Sequence, residues 1–420
     1  MFSYTTDSRD DQVEDVLSSD GEDYLEINWE PSVARKLTSE ERASLEARSM
    51  RKPDEDASLE DKYIDGPAGP YALTKVSKPK IKLSFSMDGG VEAMCVRYSP
   101  DGSLLAVGCS DGSVRVHSAT TGKAMYRAAC AKGEDGLASQ VTAMRFRTSQ
   151  NLETRNVLLF TTSDGTLRTW HATSNTFLGS PVVEKDCGLF ALATDASGSS
   201  MATAGSDALV RIYDTSTNAQ IAKMGTDQSL KGACNVTGLT GASVFVGHSS
   251  HVCALRYHDE TPHVLMSGGW DRTVQIWDTR SGKSERHIWG PHIVGDCIDY
   301  EGNVIVTGAH QRYRAVQAWD FGSGEPLYDI PWLPAADAEH SPIMGLQLGH
   351  QAAKGVVVAG GGHEVRVMSN DEAGTPICRL SGLTGSVNAL SLSSTEDAMA
   401  IVCADSVHIV DLVSCHRSVR

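Results

Sequence analysis

Residues 108–112 read Gly-Cys-Ser-Asp-Gly, the G-x-S-x-G pattern that presents a nucleophilic serine for acyl transfer. That chemistry needs the serine on a sharp turn between a strand and a helix. The same position recurs downstream as Thr-Thr-Ser-Asp-Gly-Thr (161–166) and Ala-Gly-Ser-Asp-Ala-Leu (204–209), so the pattern reads as a turn joining two strands. Gly282-Lys283-Ser284 has the ending of a phosphate-binding loop, but the first glycine of that motif would fall on Trp277. Thr121-Gly122-Lys123 repeats the feature, and both read as hairpin turns. The 14 histidines include no H-E-x-x-H and no pair four residues apart. Their densest group is His248, His251 and His258; His251 opens a strand-like run and His258 ends it, too far apart to share a metal. No catalytic centre, metal site or cofactor is expected.

Composition narrows the partners. The 420 residues carry a formal charge of −16, unevenly spread. Residues 1–30 hold ten acids and one base, Arg9; residues 31–79 hold nine of each sign; residues 80–420 hold 34 acids and 27 bases. An acidic chain without a basic block has no electrostatic footprint for nucleic acid or an anionic membrane, so neither is an expected partner. No apolar stretch approaches the roughly 20 residues of a transmembrane helix. Residues 1–12 lack the basic and apolar regions of a secretory signal. The ten cysteines lie at least 12 residues apart, with no C-x-x-C. Cys95, Cys109, Cys253, Cys297 and Cys403 fall in apolar runs, where a reduced cysteine acts as a small hydrophobe. A reducing, cytoplasmic compartment is the expectation, and the sequon Asn235-Val236-Thr237 reads as a chance match.

The elements that must carry any site repeat along the chain. From residue 80 onward, short apolar strands alternate with Gly, Asp and Ser turns. The unit is strand, turn, strand, small-residue step, Ser-Asp or a variant, third strand, polar turn. Seven copies span 91–126, 141–179, 189–224, 251–288, 296–330, 343–380 and 387–413. The excess around 225–246 reads as a long loop or an extra strand pair. The seventh copy has three strands before the chain stops. Residues 81–87, with Ile81, Leu83, Phe85 and Met87 alternating against polar partners, are expected to supply its outer strand and close a ring.

These copies resemble WD40 repeats across about residues 80–420. The fourth copy carries the resemblance best: Gly247-His248 and Trp277-Asp278 have 28 residues between His248 and Trp277. The resemblance implies an all-β, seven-bladed propeller, and it places His248, Ser267, Asp271 and Trp277 in a buried hydrogen-bonded tetrad. Such a network is favourable only when every member is satisfied. Other copies keep fragments: Asp111, Asp164, Thr203 and Asp207, Tyr213-Asp214, Trp319-Asp320. The sixth and seventh lack the signature dipeptide and are identified by rhythm.

In a propeller, one turn per blade gathers on one face around the channel. The residue before the turn Asp is Ser110, Ser163 and Ser206 in copies one to three, and Trp270 in copy four. Trp dominates interface energetics, so Trp270 is the leading candidate for protein binding, with packing on a neighbouring blade as the alternative. Copy five substitutes a longer turn bearing Arg312, Tyr313 and Arg314, interface-enriched types. His251, Asp296, Glu92 and His363 are further candidates on the same face.

Residues 1–79 are acidic and punctuated by proline, and are expected to form a mostly disordered arm. A Thr-x-x-Glu box at Thr38 and Glu41 allows a short helix over 39–50. Within the arm, Tyr24, Leu25, Ile27 and Trp29 alternate with polar residues, a pattern suited to docking on a partner or on the chain's own propeller. WD40 proteins serve as non-catalytic platforms, so the resemblance implies a scaffold binding other proteins or peptides, the propeller itself monomeric within a larger complex. A structural part of a microtubule or axoneme-type assembly and a ubiquitin-ligase substrate receptor are the alternatives, with a cilium or cytoskeleton location under the first. An enzyme would need clustered acids or metal ligands around the channel.

Overall fold

The computed structural model describes residues 78–129, 138–148, 155–225, 247–311, 314–332, 342–350 and 355–413. The strands fall into seven four-stranded antiparallel sheets. Six are simple meanders running outward from the channel; blade 1, for example, contains Ala93–Tyr98, Leu104–Cys109, Ser113–Ser118 and Ala124–Ala129. Blade 7 takes Val387–Leu392, Ala398–Cys403 and Ser406–Asp411 from the chain's end, and its outer strand, Lys80–Ser86, from residues that precede blade 1. That strand pairs with the last one through Ser84↔His408 and Phe85↔Val407, and the Phe85 ring lies 4.6 Å from that of His117 in blade 1. The ring closes without a free inner edge.

Burial explains why the strands read as they do. Second strands such as Leu104–Cys109, Val356–Gly361 and Ala398–Cys403 are buried along their whole length, because neighbouring blades cover both faces. They therefore read as continuous apolar runs. First strands leave two positions partly open, as in Ala93–Tyr98 and Val141–Phe146, where the chain borders the channel. Outer strands are mostly exposed. The core lies between sheets: one cluster joins blades 7, 1 and 2 through Ile409, Leu105 and Trp170, and another joins blades 4, 5 and 6 through Ile276, Trp319 and Leu346. Among the described residues no helix is long and apolar enough to cross a membrane.

Candidate protein-docking face

The fourth blade holds the most complete polar network. Trp277 Nε1 donates to Ser267 Oγ at 2.7 Å, Ser267 Oγ meets His248 Nε2 at 2.6 Å, and His248 Nδ1 meets Asp271 Oδ2 at 2.8 Å. One proton arrangement satisfies the whole chain: indole to hydroxyl, hydroxyl to imidazole, imidazole to carboxylate. Burial pushes the Asp271 carboxyl upward. The hydrogen bond to His248, with those from the Ser249 N–H and Thr273 hydroxyl, outweighs that and holds it below the usual range. Blade 5 keeps half of the network, Trp319 Nε1 donating to Thr307 Oγ1 at 2.9 Å. Blade 3 builds another, with Arg211 paired to Glu184 and Asp207, and the Tyr213 hydroxyl on Glu184. These networks fix the turns that form one face of the ring.

On that face the residues preceding the turn aspartates diverge in role. Ser110, Ser163 and Ser206 each accept a backbone N–H from the entry to their own first strand, from Glu92 and Gln140 at 3.1 Å and from Gly188 at 2.9 Å. Each also donates its own N–H back to the same residue's carbonyl. Trp270 keeps only the backbone half of this clamp, to His251 O at 2.9 Å, and His310 does the same to His292 O at 2.8 Å. The equivalent positions in blades 6 and 7 are Gly362 and Ala404. Large rings therefore stand at this position in two adjacent blades only.

Those rings meet. Ring centroids run Phe190–His251 5.7 Å, His251–Trp270 4.5 Å, Trp270–His292 6.4 Å and His292–His310 5.7 Å. The arc crosses blades 3, 4 and 5. Trp270 touches both its own blade and the next and still exposes 36% of its surface. Burial, then His310 and Arg272, depress His292 to about 4, so it is neutral at pH 7. Burial lowers His310 as well.

The remaining candidates scatter. Glu92 is half-buried with its N–H on Ser110, and His363 sits on the blade 6 turn with Nδ1 3.3 Å from Leu383 O. Arg314 turns toward the outer strand of its blade, its Nε 3.2 Å from Asp329. Arg312, Tyr313, the 39–50 helix and the Tyr24, Leu25, Ile27 and Trp29 motif lie outside the described residues. Asp296 requires a correction. It was expected on the loop face, but its carboxylate stands in the channel and accepts from Arg97 of blade 1 and Arg145 of blade 2. Its chain position is just ahead of the first strand of blade 5, Ile298–Glu301, where the backbone has already entered the channel wall and bridges to Gly345.

The channel itself escaped sequence reasoning. Arg256 pairs with Asp299 at 3.0 Å, and Asp299 also accepts from Leu348 N at 2.9 Å and lies 3.4 Å from His350 Nε2. Burial raises the Asp299 carboxyl, but Arg256 and His350 bring it down to about 2, and the same contact raises His350. A signal was available: Val96-Arg97-Tyr98, Met144-Arg145-Phe146, Leu255-Arg256-Tyr257 and Ile298-Asp299-Tyr300 share one register of the first strand. Phe190 and His292 were missed too, because Phe190 reads as part of the apolar run of the blade 3 first strand, Leu189–Thr194, and His292 sits in unremarkable loop sequence. Among the described residues no group of three His, Cys, Asp or Glu is placed to hold a metal.

Known proteins match in pieces. The family model described as the anaphase-promoting complex subunit 4 WD40 domain matches residues 80–149, and that for the WD domain, G-beta repeat, matches 241–278. The DENN domain and WD repeat-containing protein SCD1 of Arabidopsis thaliana is 25% identical over 50% of this chain and 15% of its own length. Two proteins of Schizosaccharomyces pombe are also similar. Target of rapamycin complex subunit wat1 is 25% identical over 43% of the chain and 49% of its own length. Small ribosomal subunit protein RACK1 is 28% identical over 19% and 27%. The chain thus spans half or less of each of these relatives.

Proposed function

The chain is a WD40-repeat protein, and from that premise we propose that it acts as a non-catalytic platform on which other proteins assemble, docking them on the face of blades 3 to 5. The observation that carries this reading is the ring arc centred on Trp270, at a turn position where five of seven blades have serine, glycine or alanine. A partly exposed Trp held by flanking rings loses little side-chain entropy on binding, the property of an interface anchor. The closed ring adds rigidity. Relatives named as a small ribosomal subunit protein and a target of rapamycin complex subunit support membership of a larger assembly. The seven described cysteines are free, buried thiols, which suits a reducing, cytoplasmic compartment. Affinity purification from the source cell with the intact chain and with Trp270→Ala as baits tests the reading. Loss of partners from the variant, at unchanged melting temperature, is the expected result; an identical partner set would remove this face from consideration.

A further inference from the structure

The turns of blades 4 and 5 carry a second peculiarity beside the rings. The residue two before the first paired position of the third strand has left-handed backbone geometry in blade after blade, and blades 1 and 2 meet it with Gly112 (φ 74°) and Gly165 (φ 85°), the residue without a steric penalty there. Blades 4 and 5 place Arg272 (φ 60°) and Arg314 (φ 58°) at the same register. A non-glycine residue is disfavoured in this region, yet blade 3 also places Ala208 (φ 63°) there, so blades 3 to 5 all depart from glycine and two of them carry a guanidinium at this end of the ring. Arg314 is paired with Asp329. Arg272 is exposed and has no acidic partner among the described residues, since both oxygens of neighbouring Asp271 are engaged by His248, Ser249 and Thr273.

Two tryptophans lie close to Arg272 along the backbone. Trp270 lies two residues before it, and Trp289, 64% exposed, pairs with Thr273 on the outer strand, where Gly290 N donates to Arg272 O at 2.8 Å. With His292 neutral at pH 7 and His310 lowered by burial, this end of blade 4 presents the Arg272 cation in the same short stretch as two exposed tryptophans. Its complement is an acidic segment with apolar and aromatic side chains. The chain contains one. Residues 22–30, Glu-Asp-Tyr-Leu-Glu-Ile-Asn-Trp-Glu, have Glu22, Asp23, Glu26 and Glu30, no base, and the row Leu25, Ile27, Trp29.

Resting on the reading of this face as the docking surface, we propose that residues 22–30 are its resident occupant, bound to the Trp270–Arg272–Trp289 patch of the same chain, so that an outside partner must displace them. The reach suffices. Residues 31–79 separate the segment from the first described strand, and that length spans up to about 160 Å extended and roughly 40 Å as a coil, comparable to the width of a ring of this size. Those residues balance in charge, so they neither draw the segment to the acidic ring nor repel it. Tethering raises the local concentration to about the millimolar range, enough for a weak contact to be mostly formed.

The test uses a labelled peptide of residues 20–32 and the full chain in two forms, natural and with Leu25, Ile27 and Trp29 all changed to Ser. The peptide should bind the arm variant at least tenfold more tightly than the natural chain, whose patch is filled, and binding should weaken with salt. In the arm-variant background, Arg272→Gly removes the cation and relieves the backbone; it should weaken the peptide at least fivefold while the protein melts no lower. Equal binding to both chain forms, or indifference to Arg272→Gly, would overturn the proposal, as would concentration-dependent dimerisation through the arm. A peptide that fails to bind while Trp270→Ala still strips partners would overturn the occupant alone and leave the docking surface standing.

Discussion

Asp296 and Arg145 lie 151 residues apart in sequence, yet Arg145 Nη2 donates to both carboxylate oxygens of Asp296, at 3.0 and 2.9 Å, from blade 2 to blade 5. Arg97 of blade 1 converges on the same carboxylate. Two guanidinium groups therefore share one anion, and burial, with Arg97 and Arg256 nearby, holds the pKa of Arg145 well below the ordinary arginine value. The contact works as a spoke across the channel, coupling non-adjacent blades that otherwise communicate only around the ring.

Removing the anion should cost more than removing one of its cations. Asp296→Ala leaves two arginines repelling each other in a confined space and is expected to destabilise by about 2 kcal/mol, below the value for a fully buried pair because Asp296 is about one-third exposed. Arg145→Met added to it should recover part of the loss. Urea unfolding of the two single variants and the double checks this; additive losses would dissolve the spoke.

In blade 4, Ser267→Ala takes away the single hydroxyl between the Trp277 indole and the His248 imidazole. Two buried groups lose a partner at once, and a cost of about 2–3 kcal/mol is expected. Thr307→Ala in blade 5 orphans only Trp319 and should cost about 1–2 kcal/mol. Calorimetric melting of both variants decides whether the difference tracks the number of groups abandoned.

The difference between the blade 4 network and the channel spoke explains what the sequence made legible. The copies repeat at short range, with apolar runs that reflect burial on both faces, so the seven-bladed ring could be counted from rhythm even where the sixth and seventh copies lack the Trp-Asp signature. His248, Ser267, Asp271 and Trp277 fall within one copy, and their mutual position follows from its register. Asp296 gave no such cue: its partners belong to other copies, and sequence spacing carries no information about what faces what across a channel. The ring arc was half legible for the same reason. Trp270 stood out within its copy, whereas His292 and Phe190 acquire meaning only when neighbouring blades bring them beside it.

Ring closure depends on a strand from the other end of the propeller sequence. Deleting residues 80–88 should expose the last strand, Ser406–Asp411, and uncover His117, which Phe85 now faces. The expected result is loss of a single cooperative melting transition, followed by circular dichroism. Deleting residues 1–77 removes none of these pairings and should leave a single cooperative transition.

Acid should loosen the docking face before it unfolds the rest. His292 has a pKa of about 4 in the fold against about 6.5 in an unfolded chain. Between those values the unfolded chain binds a proton that the fold refuses, so this contribution is intact above pH 6.5 and is lost as the pH falls toward 4. His310 is lowered too and acts in the same direction, while the raised His350 opposes it. After discounting for solvent at the half-exposed ring, a loss of about 1 kcal/mol from His292 is expected between pH 7.5 and 5. The pH slope of urea midpoints should flatten in His292→Gln; an unchanged slope would remove His292 as its source.

The thiols offer a test of how tightly the blades are packed. Seven of the ten cysteines are described, and all seven are free and buried. Burial pushes Cys95, Cys253 and Cys403 up to about 12 and Cys109 to about 11, so the reactive thiolate is scarce as well as shielded at neutral pH. Only Cys130, Cys234 and Cys415 fall outside the described residues. A thiol reagent at pH 8 should therefore modify at most three cysteines per native chain within minutes and all ten in denaturant. Fast modification of Cys95 or Cys403, located by peptide mass mapping, would mean that blades 7 and 1 separate readily, contrary to a ring whose closure is shared between the two ends of the propeller sequence.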